Sequence, residues 1–209
     1  MNQAAAVPEL ELFTDFVCPW CYLGNAALSQ LASEMPIKIT RTPFPLHPST
    51  PPEGLLLSEL LAGRDFSAIH QRLNAEMDKL ELPYGERRYT YNSRLAQELA
   101  LWADTQAEGR PLDALLYQAY FVHDRNIAKI EVLLPLVEQA GLDAAAAQQV
   151  LQTRSFSAQV DAAWQRARSF GISGVPTFVY GGYGSSGYMQ VQQLRDFIQF
   201  VQEKQSQPH

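Results

Sequence analysis

The sequence predicts an α/β fold in which a small mixed sheet is interrupted by a long block of helices. A strand-like run feeding a helix and then a second strand lies near the N-terminus. Helical apolar spacing follows for roughly a hundred residues, a domain's worth of chain. Two more strand-like runs and a last helix close the sequence. Strands at both ends around a helical block are the pattern of a sheet built from distant segments. With 209 residues, 46% hydrophobic and 18% charged, the chain has material for a sizeable core and is unlike a disordered one.

The elements follow in order. Leu10-Glu11-Leu12-Phe13-Thr14-Asp15-Phe16-Val17 alternates and is rich in aromatic and β-branched side chains, which predicts a strand. Leu23, Ala27, Leu28, Leu31 and Ala32 recur at helical spacing to about Glu34, and Pro36 stands where that helix should stop. Ile37 to Phe44 reads as a second strand, and Pro43, Pro45, Pro48, Pro51 and Pro52 mark a linker. Helices are then expected over 55–61, 65–80, 92–108, 112–122, 130–140, 143–152 and 157–170. Gly63, Pro83-Tyr84-Gly85, Gly109-Arg110-Pro111 and Gly141 break them; Asp65 and Asp143 suit N-caps and Gly141 a C′ position. Thr177 to Tyr180 is a strand, Gly181 to Gly184 a turn, Ser185 to Tyr188 a last strand and Val191 to Val201 a last helix. The tail from Glu203 is expected to fray. On this reading residues 1–52 and 171–209 build the sheet domain, and 53–170 form a helical insertion.

Sixteen basic residues against 22 acidic ones give a formal charge of -6, which disfavours a nucleic-acid groove or an anionic membrane surface. No run approaches the roughly 18 apolar residues of a membrane span. Met1 to Pro8 lacks the basic start and apolar run of a secretory signal, so a cytoplasmic location is expected.

Cys18 and Cys21 are the only cysteines. A bridge between them would close too short a loop to stabilise the fold. Structural zinc needs four ligands, and His47, His70, His123 and His209 supply no paired spacing, so no metal is expected. The pair Cys18-Pro19-Trp20-Cys21 sits where a strand feeds a helix. Pro19 suits the first helical position, which puts Cys18 at the N-cap, facing open N–H groups. An anion is favoured there, and the thiolate is the species that attacks a disulfide. Cys21, one turn inside, would be more shielded and placed to resolve a mixed disulfide. A second landmark is Gly171-Ile172-Ser173-Gly174-Val175-Pro176-Thr177-Phe178. Its proline is either a plain strand-entry residue or a cis prolyl bond that opens backbone groups to a substrate.

Together, Phe13 to Gly24 and Gly171 to Phe178 resemble the DsbA-like thioredoxin superfamily, and within it the FrnE-type branch of dithiol oxidoreductases. Phe44-Pro45-Leu46-His47-Pro48, Glu53-Gly54, Tyr120-Phe121 before Asn126-Ile127, and Gly141-Leu142-Asp143 agree with it. The resemblance implies a thioredoxin-like fold with an inserted all-helical domain lying over the cysteines. It implies Cys18 as nucleophile and Cys21 as resolving thiol, with Pro19, Trp20, Val175 and a cis Pro176 meeting substrate. The chain lacks the second Cys pair of some members, and Gln97 follows Ala96 where the branch often has a histidine.

The expected activity is thiol–disulfide exchange as a reductase or isomerase, on disulfide-containing proteins or small thiols such as glutathione, by a monomer or homodimer. The chemistry needs no cofactor, although glutathione could act as redox partner or co-substrate. One alternative is a glutathione-dependent isomerase or transferase of the 2-hydroxychromene-2-carboxylate isomerase or kappa-class type, which needs no resolving thiol. Another is a peptide-binding chaperone with incidental thiols. Asp15 is either a proton shuttle or a capping or solvent residue. Tyr89, Tyr91, Trp102, Tyr117, Tyr120 and Phe121 read as core, and Tyr180, Tyr183 and Tyr188 similarly. Trp20 is either packed on the insertion or a substrate platform; His47 reads as a loop residue, and His70 and His123 as helix residues.

Overall fold

A computed structural model describes residues 7–63, 65, 67–106 and 111–207. The reading of Met1 to Ala6, the Gly109-Arg110 break and the last two tail residues lie outside them.

The α/β expectation holds. Strand β1 (Glu9–Thr14) alternates toward Leu10 and Leu12 because its two faces meet different helices. It pairs in parallel with β2 (Lys38–Pro43), with Glu9 opposite Lys38 and Thr14 opposite Pro43. Helix α1 (Pro19–Glu34) makes the crossover that parallel neighbours require. On its other side β1 pairs antiparallel with β5 (Thr177–Tyr180), which pairs with β6 (Tyr183–Ser186), so the sheet order is β2-β1-β5-β6. A strand from residue 177 thus lies beside the one that leads into the cysteines.

Helices α1 and α9 (Val191–Ser206) cover one face, where Leu10, Leu12, Ala27, Leu28, Leu31, Phe178, Leu194 and Ile198 form a core. On the other face Phe13 and Phe44 meet Ala167 of α8 (Ser157–Ser169), and Arg166 pairs with Glu11 at 2.8 Å. Between β2 and β5 run β3 (Leu55–Leu56), α2 (Leu57–Leu60), α3 (Ser67–Lys79), β4 (Tyr89–Thr90), α4 (Arg94–Ala103), α5 (Pro111–Phe121), α6 (Ile130–Gln139), α7 (Ala144–Thr153) and α8. The largest core joins this region to the start of α1 through Phe16, Cys21, Tyr22, Tyr117, Tyr120 and Phe121.

Several boundaries differ from expectation. β1 stops at Thr14 because Asp15 begins a turn, in which Cys18 N donates to Asp15 O at 3.1 Å. Leu55-Leu56 is not helical: it pairs antiparallel with Tyr89-Thr90, a two-residue ladder too short to show a period. The turn before β6 is tighter than expected, so β6 begins at Tyr183, and α9 extends to Ser206 instead of fraying from Glu203. His123 lies in the turn after α5. Asp143 caps α7 as expected, accepting from Ala145 N at 2.8 Å and Ala146 N at 3.1 Å. Asp65 accepts from Ser67 N at 2.9 Å, where α3 starts.

Candidate active site

The site forms where β1 turns into α1. Cys18 is the N-cap of α1 with extended backbone (φ -94°, ψ 116°), and Pro19 occupies the first turn. Its carbonyl accepts from Cys21 N at 3.0 Å and Tyr22 N at 3.2 Å, closing that turn. Both cysteines are free thiols. Cys18 is 4% exposed and Cys21 fully buried, which is the order of shielding expected.

The expectation that the Cys18 sulfur faces the open helix amides is corrected. Sγ makes no capping hydrogen bond; it donates to Val175 O at 3.5 Å. A thiol hydrogen seeks an acceptor, and a helix N-terminus presents only donors. Val175 therefore stands against the sulfur across 157 residues of sequence. The Val175–Pro176 bond is cis. Gly24, inside α1, permits this close assembly: a Cβ there would stand 3.3 Å from Phe178 Cζ and 3.6 Å from Pro176 Cβ.

Burial and the neighbouring Cys18 push the Cys21 thiol well above its ordinary range. A buried anion loses hydration that the surrounding apolar groups do not replace. Beneath the cysteines Tyr22 stacks on Tyr117 and Phe121 at 5.4 Å and 5.3 Å, and Tyr117 OH lies 2.6 Å from Thr14 Oγ1. Tyr91, Trp102, Tyr117, Tyr120 and Phe121 are buried, as a core reading expects, whereas Tyr183 is 42% exposed because β6 is the sheet edge.

Asp15 is neither a helix cap nor a solvent residue. It is buried, and its oxygens accept from Val17 N at 3.2 Å and Leu46 N at 3.0 Å. The nearby Ser93 and Gln97 side chains also favour its charged form. Loss of hydration outweighs these bonds and pushes its carboxyl up from 3.8 to about 6. Gln97 donates to Phe44 O at 2.9 Å and accepts from Trp164 Nε1 at 2.9 Å. It ties the loop after β2 to α4 and α8. Sequence reasoning missed this role, because the partners Phe44 and Trp164 lie 53 and 67 residues away along the chain.

Beside the cysteines lies a groove of about 460 Å³. Trp20, Val175, Pro176, Gly187 and Tyr188 line one side, and Ala68, Ile69 and Arg72 of α3 the other. Trp20 is half-buried, 6.1 Å from the Tyr188 ring, so it both packs and lines the groove. Neither cysteine lines this groove; it borders Trp20 of the Cys18–Cys21 turn and Val175, whose carbonyl meets Cys18 Sγ, whereas a depression of about 640 Å³ around Glu11, Thr40 and Arg166 touches neither segment.

The model of the DSBA-like thioredoxin domain matches residues 9–199. The chain belongs to that family. Two thiols at the head of α1 agree with a redox enzyme of that family. An uncharacterised protein, YwbO of Bacillus subtilis, is 28% identical over 181 residues, covering 83% of this chain and 86% of YwbO. The probable DsbA oxidoreductase SCO1869 of Streptomyces coelicolor superposes with a TM-score of 0.84 at 25% identity, over 97% of this chain and 92% of that one. Two more distant structures share the fold. A 2-hydroxychromene-2-carboxylate isomerase gives a TM-score of 0.74 at 17% identity, over 95% of this chain and 98% of its own. The cytosolic disulfide reductase DsbM of Pseudomonas aeruginosa gives 0.65 at 18%, over 94% and 98%, and has also been solved with glutathione.

Proposed function

We propose that this DsbA-like protein is a cytoplasmic thiol–disulfide reductase or isomerase that works through Cys18 and Cys21. The observation that carries this reading is the graded pair: Cys18 at the helix head against Val175 O, with Cys21 sealed one turn behind it. In the first step the Cys18 thiolate attacks one sulfur of the substrate disulfide. The Cys18–substrate bond forms, the substrate S–S bond breaks, and the departing thiolate takes a proton. Cys21 then loses its proton and attacks Cys18 Sγ, which releases the second substrate thiol and leaves a Cys18–Cys21 disulfide. Two electrons pass to the substrate, and a reduced thiol such as glutathione restores the dithiol. The DsbM structure with glutathione supports a partner of this kind. A reducing cytosol favours reduction or isomerisation over net oxidation.

The half-buried walls Trp20, Val175 and Tyr188 suit either a small disulfide or an extended protein segment. Against a single-thiol isomerase stands Cys21, which such chemistry does not use. The test is insulin reduction with dithiothreitol as donor. Cys18→Ser is expected to fall to the uncatalysed rate, and pre-reduced Cys21→Ser, mixed with insulin after dithiothreitol is removed, to accumulate a mixed disulfide visible by mass spectrometry. Full activity in Cys18→Ser refutes the reading. Full turnover of Cys21→Ser with glutathione in place of dithiothreitol as the donor moves it to glutathione-dependent single-thiol chemistry.

A further inference from the structure

The groove beside Trp20 and Val175 is apolar along Trp20, Ile69, Val175 and Tyr188, and among the described residues that line it one is a cation, Arg72 of α3. The guanidinium carbon of Arg72 stands 5.3 Å from the centre of the Trp20 ring, inside the Cys-x-x-Cys turn. A guanidinium over an indole face is held flat by the ring and leaves its N–H edge open. Among the described residues no carboxylate is within 4 Å of that edge. Glu76, one turn along α3, instead directs its oxygens to Lys79 Nζ at 2.7 Å and Gln190 Nε2 at 2.9 Å. Arg72 is thus a cation held over Trp20 with no carboxylate on its donor edge, the Glu76 charge acting on it only through space, and it lines the groove beside Val175, whose carbonyl meets Cys18 Sγ. The whole molecule carries a charge of -6, so long-range attraction does not bring anions to it. Selection of an anionic substrate has to come from a short-range contact.

We propose that Arg72 determines substrate specificity by receiving a carboxylate carried close to the substrate disulfide. This rests on the reading of Cys18 and Cys21 as the exchange pair. The carboxylate has two possible sources, a small disulfide such as glutathione disulfide or an acidic side chain flanking a cystine in an extended peptide. In either case Trp20 and Tyr188 flank the apolar part of the substrate while Arg72 holds its charge. The exchange step is unchanged: one substrate S–S bond breaks and one Cys18–substrate bond forms. Arg72 sets which disulfides reach the Cys18 sulfur.

The test uses pre-reduced full-length protein in single turnover, so that no further electron donor enters. Second-order rate constants are measured for glutathione disulfide, neutral bis(2-hydroxyethyl) disulfide and cationic cystamine. They are also measured for capped disulfide peptides with Glu or Gln beside the cystine. In Arg72→Met the ratio of glutathione disulfide to hydroxyethyl disulfide, or of Glu to Gln peptide, is expected to fall about fivefold. That is roughly 1 kcal/mol, the scale of a solvent-accessible charge pair. Arg72→Glu should lower the ratio further and raise that of cystamine, and salt should erode the wild-type preference. Movement of the glutathione ratio alone assigns the carboxylate to a small disulfide, and movement of the peptide ratio alone assigns it to a side chain. If neither ratio moves while hydroxyethyl disulfide is still reduced, the proposal is overturned and the exchange reading stands. If the wild type does not reduce hydroxyethyl disulfide at all, both fall.

Discussion

The Asp15 carboxyl takes amide hydrogens from Val17 and Leu46 and is 1% exposed, and burial dominates its titration. Its folded value, raised from 3.8 to about 6, means that the native state binds a proton more readily than the unfolded chain. The associated stability is fully present below about pH 4 and is lost as pH rises through about 6. A shift of this size is worth on the order of 3 kcal/mol. Urea midpoints of the wild type are therefore expected to drop across that window, and Asp15→Asn should flatten the drop. Equal slopes in the two proteins would contradict the assignment. Cys18, Cys21 and Pro176 stood out in the sequence because each has a chemistry of its own. The setting of Asp15 did not, since Leu46 lies 31 residues away and Ser93 and Gln97 farther still along the chain.

At the scale of elements, the approach of α1 to β5 decides whether Cys18 meets Val175. Gly24 occupies the contact, and its absent side chain leaves room for Phe178 and Pro176. Gly24→Val would force two methyl groups into that space. Overpacking of this kind destabilises by about 1–3 kcal/mol, and displacement of Pro176 should slow disulfide exchange as well. Thermal unfolding and the single-turnover rate check the two effects; a valine variant with wild-type values in both would show that the contact has no consequence. Long helices and strands were legible because burial repeats along them, as in β1, α1 and α9. The β3–β4 ladder was not, because two residues hold no repeat and its partner strand lies beyond α3.

Across the whole molecule, α4, α7 and α8 are bound together by a charge cluster. Glu98 on α4 is fully buried and meets Arg154 at 2.6 Å and Arg94 at 2.9 Å. Arg94 also reaches Asp161 on α8 at 2.8 Å and lies 4.5 Å from the centre of the Trp164 ring. Removing the Glu98 charge leaves two guanidinium groups facing a buried amide. Glu98→Gln is expected to lower unfolding free energy by about 2–3 kcal/mol, discounted from the fully buried case because Arg154 keeps contact with water. Urea denaturation reads this directly, and a loss below about 0.5 kcal/mol, the range of an ordinary surface change, would mean that the cluster is dispensable. The α/β class, the order of the main elements and the identity of the thiols are written in the chain, because periodicity and reactive side chains are local properties. Three-dimensional packing sets the rest: the Cys18 thiol meets a carbonyl and not the helix amides, Asp15 is enclosed, and Arg72 lies over Trp20. Those contacts join residues far apart in the chain, and no short stretch of sequence encodes the distance between two side chains that only folding brings together.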